Sequence, residues 1–215
     1  MSIPIEKFRN EIIPYAQTCP SVLIDRMVRF AAIEFCENTL TWRQPIDQFR
    51  IRSNLTDYDI TPPDCSRIVT VIHAEHGGVK LIPITEKMLD DTVIGWRNDS
   101  AEICQYFYLP DKNTIRLVLK PNQRANKNIK IECIYRPSQD ATILPDILYD
   151  YHLEAISHGA KHRLFAMPAM QWSSPDMAIY SRVEFDRLSK KEKVDRMNDY
   201  TKTSTLQITP FNYNG

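Results

Sequence analysis

Three side chains that could bind a metal ion follow one another at intervals of four residues: Glu154, His158 and His162. Because an α-helix turns once in about 3.6 residues, this spacing places all three on one helical face. Imidazole and carboxylate groups are common zinc ligands, and two histidines four residues apart are a familiar pair in zinc sites. One interpretation of the pattern is therefore a small metal-dependent hydrolase.

The same residues also fit a structural role. A zinc hydrolase of the His-Glu-x-x-His type needs a glutamate directly after the first histidine, and Gly159 occupies that position. Glu154 and His158 can instead pair with each other along the helix, beside its apolar face. We therefore expect no metal and no other cofactor, and the hydrolase remains an alternative hypothesis.

Four further carboxylates and two further histidines could also carry chemistry. They are Asp57, Asp59, Asp90, Asp91, His73 and His76. Paired carboxylates can serve as general acid and base, but both aspartate pairs lie in turn-like or short-helix surroundings without a matching acid. The histidines fall on or beside a predicted hairpin. We interpret all six as structural or solvent-exposed residues and expect no catalytic residue in the chain.

Composition limits the function further. The chain has 215 residues, with 27 basic and 27 acidic side chains, so its net charge indicates neither a nucleic-acid-binding protein nor a protein of anionic membranes. Basic residues at 190–196 alternate with acidic ones and are typical of a solvated helix face. Five scattered cysteines without a Cys-x-x-Cys pair favour reduced thiols. We expect no signal peptide and no membrane-spanning segment.

The candidate metal ligands belong to a stretch, residues 145–167, that is predicted to form the central helix. Its apolar face consists of Leu153, Ile156, Ala160, Leu164 and Met167. Ala155 and Gly159 are small, so another helix backbone can approach closely at mid-length. Pro168 is expected to end the helix.

Three further helices are predicted over residues 3–17, 21–41 and 175–197 from apolar residues at helical spacing. The helix at 21–41 has the most regular series, which consists of Ile24, Met27, Val28, Ala31 and Phe35. The helix at 175–197 is amphipathic in its first half, whereas its charged second half is typical of a solvated surface.

From about residue 46 to 136 the apolar period drops to two, and turn residues separate short segments. We predict a hairpin around Gly77 and Gly78, because glycine readily adopts the positive φ angles of a tight turn. The other elements predicted here are a hairpin around residues 110–113, a strand at 129–135 and a short helix at 85–91.

The sequence therefore predicts an α+β fold, in which a bundle of about four helices carries an inserted antiparallel β module. Residues 1–45 and 138–197 would form the bundle, and residues 46–137 the β module. Residues 198–215 would form an extended C-terminal tail, whose spaced apolar residues indicate a partner surface. A disordered chain end is the alternative interpretation of this tail.

Three stretches carry a recognisable combination of residues. They are residues 31–43 (AAIEFCENTLTWR), 95–97 (GWR) and 166–175 (AMPAMQWSSP), the last followed by Tyr180 and Phe185. Together with the order of elements over about residues 3–197, they resemble the head-to-tail adaptor proteins of tailed bacteriophages. Adaptors of this family lie under the portal and combine a helical bundle with a β domain.

The resemblance implies a structural virion protein without catalytic residues. Such a protein would form a dodecameric ring that docks to the portal, continues the DNA channel and meets a downstream tail or nozzle protein. Genomic DNA would pass without specific binding, which suits a chain without net positive charge. The protein would lie in the host cytoplasm during assembly and at the portal–tail junction of the virion. A neck or tail-terminator protein at another level of the particle is an alternative.

The resemblance also indicates which residues would contact other chains. Portal contacts are expected from the tail, at Tyr200, Leu206, Ile208, Phe211 and Tyr213. Contacts between subunits or with other partners are expected at Trp96, Arg97, Trp172, Ala155 and Gly159. From the sequence alone, the tryptophans fit the edge of a core equally well.

Overall fold

The computed structural model describes residues 2–122 and 128–200. About 40% of these residues are helical and 29% lie in strands, arranged as a mixed α/β structure with four sheets. The predicted fold class, a bundle of about four helices with an inserted antiparallel β module, is therefore wrong. The sheets are a major part of the fold, they include parallel strand pairs, and only three long helices pack together.

Five α-helices lie within this described part of the chain. They are α1 (Ser21–Thr39), α2 (Glu86–Thr92), α3 (Asp146–Asp150), α4 (Leu153–Phe165) and α5 (Pro175–Met197). The predicted helices at 21–41, 85–91 and 175–197 are confirmed as α1, α2 and α5. No helix of the described residues is long and apolar enough to cross a membrane.

Two helix predictions are wrong in form. Residues 3–17 form a short strand and two 3-10 helices, Ile5–Glu11 and Ile13–Tyr15, because Pro4 and Pro14 cannot donate the backbone hydrogen bonds of a continuous α-helix. The central helix is broken between α3 and α4. At the break, Tyr151 has φ −118° and ψ −20°, and His152 has φ −128° and ψ 16°.

Twelve strands lie in the described residues. They are β1 (Ser2–Pro4), β2 (Arg43–Arg50), β3 (Asp57–Asp59), β4 (Ser66–His76), β5 (Val79–Lys80), β6 (Ile82–Pro83), β7 (Ser100–Ala101), β8 (Tyr106–Asp111), β9 (Thr114–Val118), β10 (Lys120–Pro121), β11 (Asn128–Pro137) and β12 (Ile143–Pro145). The first sheet is antiparallel, with strand order β2-β11-β4-β5. The second has the order β3-β9-β8-β6, and its β6–β8 pair is parallel. Two small pairs, β1–β12 and β7–β10, complete the sheets.

Both predicted hairpins are confirmed. Gly77 and Gly78 connect β4 to β5 with φ angles of 58° and 90°, the left-handed values that a two-residue hairpin turn requires. β8 and β9 pair around the second predicted turn. The predicted strand at 129–135 is β11, which lies between β2 and β4 in the first sheet.

One hydrophobic core joins the helices to both sheets. α1 contacts β11 of the first sheet and also packs against α4 and α5. The predicted apolar series of α1 is buried in this core, together with Tyr135 of β11 and Leu117 of β9. A smaller cluster, consisting of Leu89, Trp96, Tyr108 and Val118, packs α2 against the second sheet. The division into a helical part, a β module and a tail stays a prediction.

The three long helices approach one another closely at Gly159. A Cβ atom on Gly159 would lie 2.8 Å from the ring of Phe185 on α5 and 2.9 Å from Cβ of Ala31 on α1. The backbone of α4 therefore contacts both neighbouring helices at this point. The predicted close approach at the small residues of the central helix is confirmed.

Candidate functional site

The structure does not assemble Glu154, His158 and His162 into a metal site, although all three lie on α4. His162 faces α5, where its Nδ1 lies 3.1 Å from the carbonyl oxygen of Ala178. His158 packs against the ring of Tyr180, and burial lowers its pKa. In the described part of the chain, no group of three or more His, Cys, Asp or Glu side chains could hold a metal ion.

Three of the other candidate residues, His76, Asp57 and Asp90, have structural partners. His76 is fully buried, and its Nδ1 accepts a hydrogen bond from the backbone N–H of Cys104 at 3.2 Å. Asp57 accepts two hydrogen bonds of 2.5 Å from Arg116, and these bonds hold the pKa of its carboxyl below the usual value. Asp90 joins α2 to residues 96–97, as described next.

Trp96 and Arg97 form a compact group with Asp90. The indole N–H of Trp96 donates to Asp90 at 2.9 Å, and the guanidinium of Arg97 donates to the same oxygen at 2.5 Å. That guanidinium also lies 4.2 Å from the Trp96 ring. Trp96 is buried in the smaller cluster, whereas about half of the Arg97 side chain is exposed.

The other predicted contact residues lie in different surroundings. Trp172 is half-buried against the main core. Ala155 and Gly159 are buried within the chain, so a contact between chains would use other residues of these helices. Of the predicted tail residues, only Tyr200 is described. Leu206, Ile208, Phe211 and Tyr213 lie outside the described residues, and their portal contacts stay a prediction.

A cavity of about 490 Å³ lies between the α3–α4 junction and the C-terminal half of α5. Its apolar lining includes Ile147, Ala155 and Leu188, and its polar lining includes Glu192 and His152. Glu192 is only 8% exposed, which is unusual for a glutamate. The polar centre of this cavity is therefore a buried carboxylate.

The hydrogen-bond donors to that carboxylate are uncharged, although the guanidinium of Arg196 lies beside them, 5.2 Å from the ring of Tyr200. Thr41 donates a hydrogen bond to Oε1 of Glu192 at 3.0 Å, and the Tyr200 hydroxyl donates to the same atom at 2.5 Å. Nε2 of His152 lies 3.6 Å from it. These contacts join the segment before β2, the break before α4 and the C-terminal part of α5 with the residues after it. We call this group the Glu192 joint: Thr41, His152, Glu192 and Tyr200.

Burial keeps the partners of Glu192 neutral near pH 7. It lowers the pKa of His152, and the opposing effect of the Glu192 charge is smaller. Burial, together with the hydrogen bond to Glu192, raises the pKa of Tyr200 to about 12. The break between α3 and α4 places His152 in this joint.

A second surface feature lies on the opposite side of α5 from its buried residues. Five large apolar side chains project outward, each more than half exposed: Ile179, Tyr180, Val183, Val194 and Met197. Intervals of 4, 11 and 3 residues from Ile179 through Val183 and Val194 to Met197 place these four on nearly the same side of the helix. We call this surface the α5 outer face.

Sequence reasoning missed the Glu192 joint because Glu192 lies in a run of charged residues. The predicted solvated surface for the second half of α5 is wrong at this position. A signal was present, since the buried residues of α5 continue at helical spacing into the charged run: Ala178, Ser181, Phe185, Ser189 and Glu192. His152 gave no comparable signal, because neither proline nor glycine marks the break before α4.

The chain matches no known protein-family model. A comparison with curated proteins also finds no match.

Proposed function

We propose that this protein is a head-to-tail adaptor of a tailed bacteriophage, a structural protein that forms a ring between portal and tail. The observation that carries the proposal is the α5 outer face. Its exposed apolar side chains form two groups on one side of the helix, at residues 179–183 and 194–197, and grouped apolar side chains on an exposed helix face are candidates for contact with another molecule. The resemblance of three sequence stretches to adaptor proteins indicates which contact this is.

A ring provides suitable cover for this face. α5 has 23 residues and is about 35 Å long, so its outer face, from Ile179 to Met197, spans about 27 Å along the helix. In a closed ring, one surface of each copy meets a different surface of the next, and every such surface is buried. Charged side chains between the apolar ones, such as Asp186 and Lys190, would fix the register of the contact.

The remaining parts of the proposal follow from the resemblance. The ring would be dodecameric, with the portal on one side and a downstream tail or nozzle protein on the other. The tail, residues 198–215, would bind the portal, and genomic DNA would pass through the channel without specific binding. The protein would assemble in the host cytoplasm and remain at the portal–tail junction of the virion.

The two alternative hypotheses have less support. No observation favours the metal-dependent hydrolase, because His158 and His162 each face α5 groups instead of a shared ligand position. A neck or tail-terminator protein would share the ring but would not bind the portal. Portal binding therefore separates the adaptor from its neighbours in the particle.

The test is native mass spectrometry of the chain with and without the portal ring of the same phage. We expect a ring of this chain on the portal, and Val183→Asp should weaken its formation about tenfold or more, because a carboxylate cannot be buried unpaired in an apolar contact. Val22→Asp is the matched control, since Val22 is an exposed valine on α1 away from this face. A chain that never binds the portal, or equal assembly by both variants, would contradict the proposal.

A further inference from the structure

The Glu192 joint is electrostatically incomplete. Buried carboxylates in proteins normally pair with a cation, because removing the charge from water is costly. All three contacts of Glu192 with other described side chains use Oε1, and they come from two hydroxyl groups and one neutral imidazole. Within the described residues, Oε2 takes part in none of these contacts, and Glu192 lines the cavity.

The rest of the cavity lining has more negative than positive side chains. Glu154 and Asp195 add two carboxylates, against a single ammonium group from Lys191. With His152 neutral, the lining carries a net negative charge, which the nearby guanidinium of Arg196 reduces but does not cancel. A positively charged group entering the cavity would therefore meet a favourable potential and could pair with Glu192 directly.

The walls suit the body of such a ligand. Ile147, Ala155 and Leu188 provide apolar surface, and the rings of Tyr151 and Tyr200 lie at the cavity lining with more than half of each residue exposed. Aromatic faces attract guanidinium and ammonium groups. The guanidinium of Arg196 already lies 5.2 Å from the Tyr200 ring, so the Tyr151 ring is the aromatic surface that a ligand would contact. The cavity volume, about 490 Å³, lies within the range of small-ligand pockets, roughly 300–1,000 Å³.

We propose that this cavity binds an organic cation with an apolar stem, and that in the assembled particle the cation is an arginine or lysine side chain of an adjoining protein. The first half concerns the isolated chain alone. The second half rests on the proposed adaptor function. The bound cation would form a salt bridge with Glu192. This salt bridge would attach the partner protein at the Glu192 joint.

The first arm of the test uses N-acetyl-arginine amide as the probe and N-acetyl-citrulline amide as its neutral isostere. Both are titrated into the isolated chain and followed by amide NMR shifts near Glu192. We expect a dissociation constant on the order of 1 mM for the arginine probe and at least about tenfold weaker binding of the citrulline probe. Equal binding of both probes would overturn the proposal.

Variants locate the site. Glu192→Gln should weaken the arginine probe about tenfold while keeping an acceptor for Thr41 and Tyr200. Asp195→Asn, at a partly exposed cavity position, should weaken it about threefold and serves if Glu192→Gln does not fold. Asp176→Asn, near the other end of α5, is the matched control and should bind as the unmodified chain does. Unchanged binding in both cavity variants would contradict the assignment.

The second arm identifies the source of the cation by repeating the titration on the chain bound to the portal. Loss of probe binding in the complex supports a partner side chain in the cavity. Unchanged probe binding in the complex overturns the second half and leaves a free cation as the ligand. Failure of the chain to bind the portal would overturn the adaptor function and the second half together, whereas the first arm is unaffected.

Discussion

Two carboxylates join the long helices of this protein in opposite ways. Glu34 on α1 accepts hydrogen bonds from Arg163 on α4 and, at 2.8 Å, from Arg182 on α5. Glu192 on α5 accepts its hydrogen bonds from two hydroxyl groups. The first carboxylate thus has two cations from its own chain, whereas the second is contacted by two hydroxyl groups and a neutral histidine.

The Glu34 cluster, which consists of Glu34, Arg163 and Arg182, is therefore paired within the chain, whereas Glu192 has no direct contact with a cation of the described residues. Burial alone would raise the pKa of Glu34, but Arg182 and Arg163 together outweigh it and lower that pKa. Arg163 also donates to the carbonyl oxygen of Gly159 at 2.7 Å, so this cluster fastens the helix crossing. Its charges are satisfied within the chain, which is typical of a structural role. A buried carboxylate that lines a cavity is instead a candidate for binding a ligand.

Substitutions at the helix crossing beside the Glu34 cluster should lower the stability of the chain most, and Gly159→Val should have the largest effect. Its side chain would overlap the ring of Phe185 and the methyl group of Ala31, which are packed against the α4 backbone. We expect the free energy of unfolding to fall by about 3 kcal/mol, measured by urea denaturation. Ala166→Val, at the exposed end of α4, should change it by about 0.5 kcal/mol or less. Equal stability of the two variants would show that the helices can separate at this crossing without loss.

The same substitution at the two carboxylates should have unequal effects. Glu34→Gln removes the charge between two guanidinium groups and should cost about 2 kcal/mol of unfolding free energy. This is less than the roughly 3–5 kcal/mol of a fully buried pair, because 26% of the Glu34 side chain is exposed. Glu192→Gln keeps an acceptor and removes an unpaired buried charge, so it should change stability by about 0.5 kcal/mol or less.

Urea denaturation of both glutamine variants at pH 7 measures this difference. Asp176→Asn, an exposed carboxylate on α5, controls for the loss of one negative charge. If Glu192→Gln destabilised the chain as much as Glu34→Gln, the Glu192 joint would have to be a structural ion pair, and the contrast between the regions would disappear.

The elements of both regions were largely predictable from the sequence. The apolar spacing in α1 and α5 gave their bounds, and the small size of Gly159 predicted the close crossing. These features are local, because periodicity and residue size act within a few turns of one helix. The hairpin at Gly77 and Gly78 was predictable for the same reason.

The features that were predicted wrongly depend on contacts between residues far apart in the sequence. Nothing near His152 marks a helix break, and its contacts are with distant residues: Phe35 of α1 and Glu192, which lies 40 residues later in the chain. The prediction of the fold class was wrong for the same reason. Short strands such as β6 and β7 find partners far along the chain, and apolar alternation over two or three residues does not identify a sheet. The tail beyond Tyr200 lies outside the described residues.

The Glu192 joint and the Glu34 cluster should also lose their contributions to stability in different pH ranges. This is the smallest of the three expected effects. The pKa of His152 in the folded chain lies below its ordinary value of 6.5, because burial disfavours the imidazolium. The unfolded chain therefore takes up a proton more readily, and the stability contributed by neutral His152 is lost as the pH falls below about 6.5. The pKa of Glu34 lies below its ordinary value of 4.5, so its contribution is lost only as the pH falls below about 4.5.

Between about pH 6.5 and 4.5, then, the Glu192 joint should weaken while the Glu34 cluster stays intact. Unfolding free energies measured across this range should fall less steeply for His152→Gln than for the unmodified chain. His158→Gln is the matched control, because burial also lowers the pKa of His158, whose ring packs on Tyr180.

Amide hydrogen exchange should separate the two histidines: the unmodified chain and His158→Gln should lose protection at the α3–α4 junction as the pH falls, and His152→Gln should not. Equal slopes for His152→Gln and the unmodified chain would show that His152 is not held neutral in the joint.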